Sequence, residues 1–482
     1  MTFPLTIQQL AKIVNGQLAN EAFGLGQVTG GCIDSRSASY GDCFFALPGN
    51  RTHGVLFAEQ AMSNGASCVV TDFGGLTREK RNSRNDMPSL VAVDSAESDG
   101  RIIHVADSTV ALQSLGRWNR QQSGALVIGV TGSVGKTTTR QMISQVLSSG
   151  FSGVQTQGNQ NNELGVPLSL LKLKPEHDFA VLELAASRTG DIAFLAELVR
   201  PEFAVVTRVA ATHLSSFGDL ETIRAAKSEL PEAVGREGTV FLNADDRAVL
   251  SMSQSTSAKI VTFGTTNAAD FRASSIRSRD GSCQFHVDGQ AFEVHGGSHL
   301  ITGALAAIAI GRTTGLPGPV VAESLGHYRP DSGRGRVVQR QPWTVIDESY
   351  NASPASVLAA IRTLNEFDSA QRRILVLGDM LELGPQAAKF HHDIGRALRD
   401  SKIEHTLAFG EFAEQIAAGA MQAGVSANCL SVFRDMPTLL SMLDCILVPG
   451  DVVMIKGSRS MQMERVVKAL CADKVEVRRS AA

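Results

Sequence analysis

The passage from residue 125 to residue 147 constrains this chain more than any other. The apolar run ALVIGV (125–130) leads straight into Thr131, Gly132, Ser133, Val134, Gly135, Lys136, Thr137 and Thr138, and beyond them Met142, Ile143, Val146 and Leu147 recur on one helical face. A buried strand ending in a glycine turn that opens a helix belongs to a parallel sheet, because the helix must carry the chain back before another parallel strand can start. Glycines let backbone N–H groups curl around phosphate oxygens at the helix N-terminus. The lysine then reaches the outer phosphates and the next hydroxyl can ligate Mg²⁺. The eight residues from Thr131 to Thr138 are therefore candidate ATP contacts. The general pattern G-x-x-x-x-G-K-[ST] asks for glycine where this chain has Val130, and the glycine stands instead at Gly132.

The surroundings agree with a parallel sheet. Apolar runs FAVLELAA (179–186), FAVVTRV (203–209), TVFLNA (239–244) and KIVTFG (259–264) are separated by segments of helix length, the pattern of strands buried on both faces. Residues 284–294 alternate polar and apolar around Asp288-Gly289, a hairpin signal. GALAAIAIGRTTG (303–315) reads as a helix packing back. After a turn-rich segment (329–336), a third region carries strands at 344–347, 373–379, 405–410 and 451–457. The first region has only short apolar runs, at 43–47 and 66–71, and a polar stretch, 78–86, that reads as a solvated loop. A chain of 482 residues exceeds what one core usually supports. The expected fold class is α/β in three domains, with boundaries at 1–106, 107–330 and 331–482.

Composition narrows the function. A formal charge of −3 gives no global field for nucleic acid or an anionic membrane, so an anionic ligand must be held by local groups. Seven cysteines without a paired C-x-x-C spacing argue against a disulfide framework and a zinc site. The start MTFPLTIQQLAKIVNG lacks a basic region followed by a long apolar run, and no stretch approaches the ~20 apolar residues of a membrane span. A cytoplasmic protein without stable membrane insertion is expected.

Three further residues are candidates for metal chemistry. Glu183 ends an otherwise apolar strand, where a charge is costly unless paired or metal-bound. A carboxylate there more often just emerges into solvent, but its place after a phosphate loop favours a Mg²⁺ ligand. His213 and Lys227 are not decisive by themselves, since a histidine after a strand is usually structural and a helix lysine usually a solvated cation. His391 and His392, on an expected helix, read as structural.

TGSVGKTT, GNQNNELGVPLSLL (158–171), VLELAA, ATHLSSFG (211–218), AAKSEL, LNADD (242–246), DESYNASP (347–354), VLGDMLELG (376–384) and KGSRSMQMERVV (456–467) together resemble the Mur ligases, in order and spacing, through nearly the whole chain. The resemblance implies a small mixed N-terminal domain for the UDP end of a substrate, a central P-loop parallel-sheet ATPase domain and a C-terminal Rossmann-like ligase domain. It implies an ATP-dependent amide ligase that adds D-alanyl-D-alanine to UDP-N-acetylmuramoyl-tripeptide through an acyl phosphate, working as a monomer on small molecules without nucleic acid.

Carried over by position, the resemblance implies that Lys136 grips the ATP phosphates, that Thr137 and Glu183 hold one Mg²⁺, and that His213 and Lys227 serve a second. Lys227 would be a carbamate formed with CO₂, an oxygen donor of the kind Mg²⁺ prefers. Arg336 would reach the γ-phosphate, Asp347 the ribose, and Tyr350 and Asn351 the base region. Ser35 and Arg36 are candidates for the UDP end, Asn161 and Asn162 for other substrate contacts, and Lys456 and Arg459 for a carboxylate or acyl phosphate. The plainer alternatives are turns at 35–36 and 161–162 and a solvated basic loop at 456–459. The family pattern H-N-x-x-N-A-L-A-A corresponds here to His299 through Ala307, with Leu300 and Gly303 in place of both asparagines. Two other readings stand beside the ligase: a folylpolyglutamate-synthetase-type enzyme, and a relative that binds nucleotide with impaired catalysis.

Overall fold

Val127 faces one side of a seven-stranded sheet while Ile128 and Val130 face the other, and both sides are covered, which is why these strands read as unbroken apolar runs. The protein is described here in a computed structural model over residues 1, 3–72, 100–266 and 268–472. The polar stretch 78–86 lies outside the described residues. The strands of this sheet run in the order Phe271–Arg272, Lys259–Gly264, Thr239–Asn243, Phe203–Val206, Leu126–Thr131, Phe179–Glu183, Gly153–Gln155. All its pairings are parallel. Each fully buried Val, Leu, Ile or Phe in the two layers contributes roughly 1.5–3 kcal/mol over its exposed state.

From Leu126–Thr131 the chain runs first toward one edge, then returns past it to Phe203–Val206 on the other side. That reversal opens a crevice at the carboxyl ends of those two strands, the usual ligand position of such sheets. The expected hairpin is present: Ser282–Val287 and Gln290–His295 pair antiparallel through Asp288 (φ 49°) and Gly289 (φ 79°). Helix Ile301–Thr313 packs on helix Lys136–Leu147, the one that follows the phosphate loop.

The third domain has a six-stranded sheet in the order Arg336–Arg340, Trp343–Glu348, Val452–Lys456, Arg373–Gly378, His405–Phe409, Leu430–Phe433, parallel except for its first pair. The N-terminal domain has a five-stranded mixed sheet. Helix Ser108–Gln121 closes the N-terminal core with Ala111, Leu112 and Leu115, beside Leu168 and Leu171 of the central region. Sequence reading missed Gly153–Gln155, Phe271–Arg272, Arg336–Arg340 and Leu430–Phe433. These are short or partly exposed strands that lack a continuous apolar run, so period and hydropathy leave little trace of them. No helix among the described residues is long and apolar enough to cross a membrane.

Candidate active site

The glycine turn after Leu126–Thr131 is held open by its neighbours. Gly132 sits at φ 145°, and a Cβ there would meet Thr207 Oγ1 at 2.1 Å, so only glycine lets the loop lie this close to the adjacent strand end. Ser133 N–H donates to Arg208 O at 2.7 Å, Ser133 Oγ accepts from Ala210 N–H at 3.0 Å, and Thr207 Oγ1 donates to Val134 O at 2.7 Å. The LNADD segment braces the same wall: Asn243 Nδ2 donates to Thr207 O at 2.7 Å and Asp246 accepts from Val209 N–H at 2.9 Å. Gly135, at φ 84°, caps helix Lys136–Leu147, whose free N–H groups and dipole face the loop. Lys136 folds back, donating to Gly132 O at 2.8 Å. Burial draws its ammonium below the ordinary lysine value, against the pull of Glu183.

Parallel register sets the position of Glu183. It lies opposite Val130, one residue before the loop begins, and is 2% exposed. Such a carboxylate needs partners, and it has three. Thr137 Oγ1 donates to Oε2 at 2.7 Å, Asn161 Nδ2 donates to Oε1 at 2.8 Å, and buried Arg140 lies with Nε 3.7 Å from Oε2. Arg140 also donates to Gln155 Oε1 at 2.9 Å and to Thr156 O. Among the described residues no group of three or more His, Cys, Asp and Glu is arranged to hold a metal. A hydroxyl and a single carboxylate beside a phosphate cradle nevertheless fit Mg²⁺, which takes one or two protein oxygens and completes its shell with phosphate oxygens and water.

The third domain faces this cradle across a cavity of about 1590 Å³. Glu348 and Lys456 end adjacent parallel strands in register and form an ion pair of 3.0 Å. Lys456 Nζ also donates to Asn351 O at 2.9 Å. Burial pushes the Glu348 carboxyl up, but the Lys456 ammonium and then His299 outweigh it and hold the group below its ordinary value. Arg334 lies with its guanidinium carbon 3.8 Å from the centroid of the Tyr350 ring, and Arg459 lies 6.0 Å from it. Burial lowers the His299 imidazole, whose Nδ1 is 2.9 Å from Thr363 Oγ1.

Of the residues singled out from sequence, this cavity brings together Ser133, Val134, Gly135, Lys136, Thr137, Thr138, Asn161, Asn162, Glu183, His213, Tyr350, Asn351, Lys456 and Arg459. Asn162 also accepts from Gly165 N–H at 3.0 Å, bracing the start of helix Gly165–Leu170. Thr131 and Gly132 lie behind the lining; Thr131 Oγ1 donates to Leu184 O at 2.8 Å. Lys227, on helix Leu220–Glu232, is buried with its ammonium 5.4 Å from the centre of the Phe217 ring. Burial, then the Lys136 charge, lowers it to about 7.

Besides Thr131 and Gly132, five expected contacts are not in the wall: Lys227, Arg336, Asp347, Ser35 and Arg36. Arg336, itself exposed, starts the edge strand Arg336–Arg340 and is absent from the lining, where Arg334 stands instead. Asp347 is turned inward, accepting from Gly333 N–H at 2.7 Å and Ser332 Oγ at 2.9 Å, so it shapes the loop that carries Arg334. Its neighbour Glu348 takes the cavity position, because successive strand residues face opposite sides. Ser35 and Arg36 also lie elsewhere, on the N-terminal domain. Ser35 Oγ donates to Gln60 Oε1 at 2.7 Å and Arg36 pairs with Asp34 at 2.7 Å. His391 is buried in the third domain, where Nε2 accepts from Met380 N–H at 2.9 Å.

Sequence reading also missed Arg140, Arg208, Arg334 and Glu348. The RGR triplet 334–336 offered a signal, but not which arginine turns inward. Leu300 and Gly303, which replace the family's asparagines, line the cavity. A Cβ at Gly303 would come within 3.1 Å of Thr139 Oγ1 and 3.2 Å of Met142 Sδ, so the close approach of the two helices leaves little room there for a side chain.

The chain matches the Mur ligase family catalytic domain over 27–115, the Mur ligase middle domain over 130–311 and the Mur ligase glutamate ligase domain over 333–459. It is similar to the UDP-N-acetylmuramoyl-tripeptide–D-alanyl-D-alanine ligase of Escherichia coli K12, with 33% identity over 97% of this chain and 98% of that one. The enzyme of the same name from Bacillus subtilis is 31% identical over 96% and 98%. Among solved structures, MurF from Acinetobacter baumannii superposes with a TM-score of 0.83 at 29% identity, covering 98% of this chain and 99% of that one. MurF ligase from Thermotoga maritima in complex with ADP gives 0.76 at 27% identity, over 92% and 97%.

Proposed function

The chain belongs to the Mur ligase family, and from that premise we infer that it is an ATP-dependent amide ligase joining D-alanyl-D-alanine to UDP-N-acetylmuramoyl-tripeptide in peptidoglycan synthesis. One observation carries the reading: a phosphate loop with Lys136, Thr137 and Glu183 shares a single cavity with Arg334, Lys456 and Arg459 of the third domain. The relatives do not favour a folylpolyglutamate-synthetase-type enzyme or an impaired nucleotide binder.

The loop amides and the helix start bind the ATP phosphates, and Lys136 leaves Gly132 O to meet the outer ones. The substrate carboxylate attacks the γ-phosphorus while ADP departs with the electrons of the broken P–O bond. The amine of D-alanyl-D-alanine then attacks the acyl phosphate, loses a proton, and phosphate leaves as the amide forms. No enzyme nucleophile takes part. Arg334, held over Tyr350, and Lys456 offset the charge that develops on the transferred phosphoryl group and on the acyl phosphate. Closure around the acyl phosphate keeps water from it. Thr137 and Glu183 would hold one Mg²⁺, and His213 with Lys227 a second. Bound there, Mg²⁺ neutralises phosphate charge. An amine that is half neutral near pH 7 is able to capture CO₂, which supports a carbamate on Lys227.

We read 1–106, with Ser35 and Arg36, as the unit for the UDP end, 107–330 as the ATP unit and 331–482 as the closing unit, in a monomer of the cytoplasm. Incubation with ATP, Mg²⁺, UDP-N-acetylmuramoyl-tripeptide and D-alanyl-D-alanine is expected to give the pentapeptide by mass spectrometry only when every component is present. ATP turnover with no pentapeptide would sink the assignment. The two arginines separate cleanly: Arg334→Ala should slow ligation roughly 10²–10³-fold and Arg336→Ala change it by less than about 3-fold. Equal losses in steady-state assays would return the role to Arg336.

A further inference from the structure

The loop after strand Arg373–Gly378 faces the cavity but has no part in the chemistry above. Its base is fixed to the third domain. Asp379 accepts from Glu411 N–H at 2.7 Å and Phe412 N–H at 3.0 Å, its carbonyl accepts from Ser458 N–H at 3.0 Å, and Leu381 N–H donates to Ser458 Oγ at 2.8 Å. The loop and the turn that carries Lys456 and Arg459 therefore move together. Its tip reaches the central domain. The Glu382 carboxylate pairs with His213 Nδ1, and the Glu382 carbonyl accepts from Ser215 N–H at 3.3 Å.

The backbone at this contact is unusual on both sides. Glu382 sits at φ 61° and His213 at φ 52°, the left-handed region that favours glycine and costs other residues strain. A glycine would serve the turn better at either place. Strained non-glycine residues at a functional cleft argue that the side chain is kept for what it touches. Here each touches the other across two domains.

We propose that Glu382 is a positioning residue: by docking on His213 it holds the third domain closed, so that Arg334, Lys456 and Arg459 stand over the phosphate loop. The proposal rests on the ligase reading, and it assigns a task to the GDMLELG segment. No bond is made or broken at Glu382. The phosphate loop belongs to the central domain, so weakening the dock changes the fraction of closed complexes more than it changes the grip on the ATP phosphates.

Glu382→Gly suits the backbone, so it tests the side chain without endangering the fold. In the full chain it is expected to keep or raise the melting temperature, leave KM for ATP nearly unchanged and lower kcat by about 2–5-fold, the range for an ion pair whose side chains are 44% and 61% exposed. Glu382→Gln, which still hydrogen-bonds to the imidazole, should recover much of that loss. Small-angle scattering with a saturating non-hydrolysable ATP analogue should give a larger radius of gyration for the glycine variant than for the parent. A glycine variant with parental kcat, or with parental dimensions and a kcat loss that glutamine does not recover, overturns the proposal. The scattering comparison needs no ligation, so failure of the ligase assignment in the parent protein is told apart from failure of the dock.

Discussion

Lys136→Met is expected to reduce ligation by about 10³-fold or more with little change in melting temperature. The lysine side chain is only partly buried, and its one short contact is to Gly132 O at 2.8 Å, so the folded state loses little. The transition state loses the one cation set on the helix end that cradles the phosphates, where charge spreads over the transferred phosphoryl oxygens. Steady-state phosphate release and pentapeptide yield, measured beside a thermal melt, check both halves. A variant that turns over within tenfold of the parent would mean the loop grips phosphate by its amides alone.

Lys227→Met should likewise abolish turnover, yet make the protein more stable near neutral pH. The parent lysine is 3% exposed and drawn down by burial, and by the Lys136 charge, from 10.5 to about 7. The sign follows from proton counting. Between about pH 7 and pH 10.5 the unfolded chain holds a proton that the folded one has shed, so the parent gains stability as pH rises through that window. Below it the penalty stays constant, on the order of a few kcal/mol. In CO₂-free buffer, denaturant unfolding of parent and variant should converge toward pH 10.5, the methionine protein being ahead at pH 7. Parallel curves would mean Lys227 is ordinary. Activity of the parent should rise with added bicarbonate, and the variant should not respond.

How much of this was legible depended on distance along the chain. The phosphate loop was readable because strand, glycines, lysine and helix are contiguous, and each follows from local backbone freedom. Glu183 was readable one step further, since a parallel strand of the right length must end beside the loop. His213 and Lys227 came from resemblance, as neither carries a local signal. Glu348 was missed by one position because the alternation of a short strand tells that neighbours face opposite sides, not which side holds the cavity, and Arg334 by two because it lies in the turn before strand Arg336–Arg340, where no period applies. The edge strands went unseen for a related reason: partly solvated, they need no apolar run.

The phosphate cradle, the buried parallel core and the kind of chemistry the cleft supports are local properties of the chain, since short-range sterics and hydropathy act between residues close in sequence. Long-range packing sets which cations face the cradle, that Asp347 turns inward while Glu348 lines the cleft, and that Glu382 meets His213 across 169 residues. Those pairings are set by how the ends of two sheets pack against each other, and nothing local to either segment encodes the other's position.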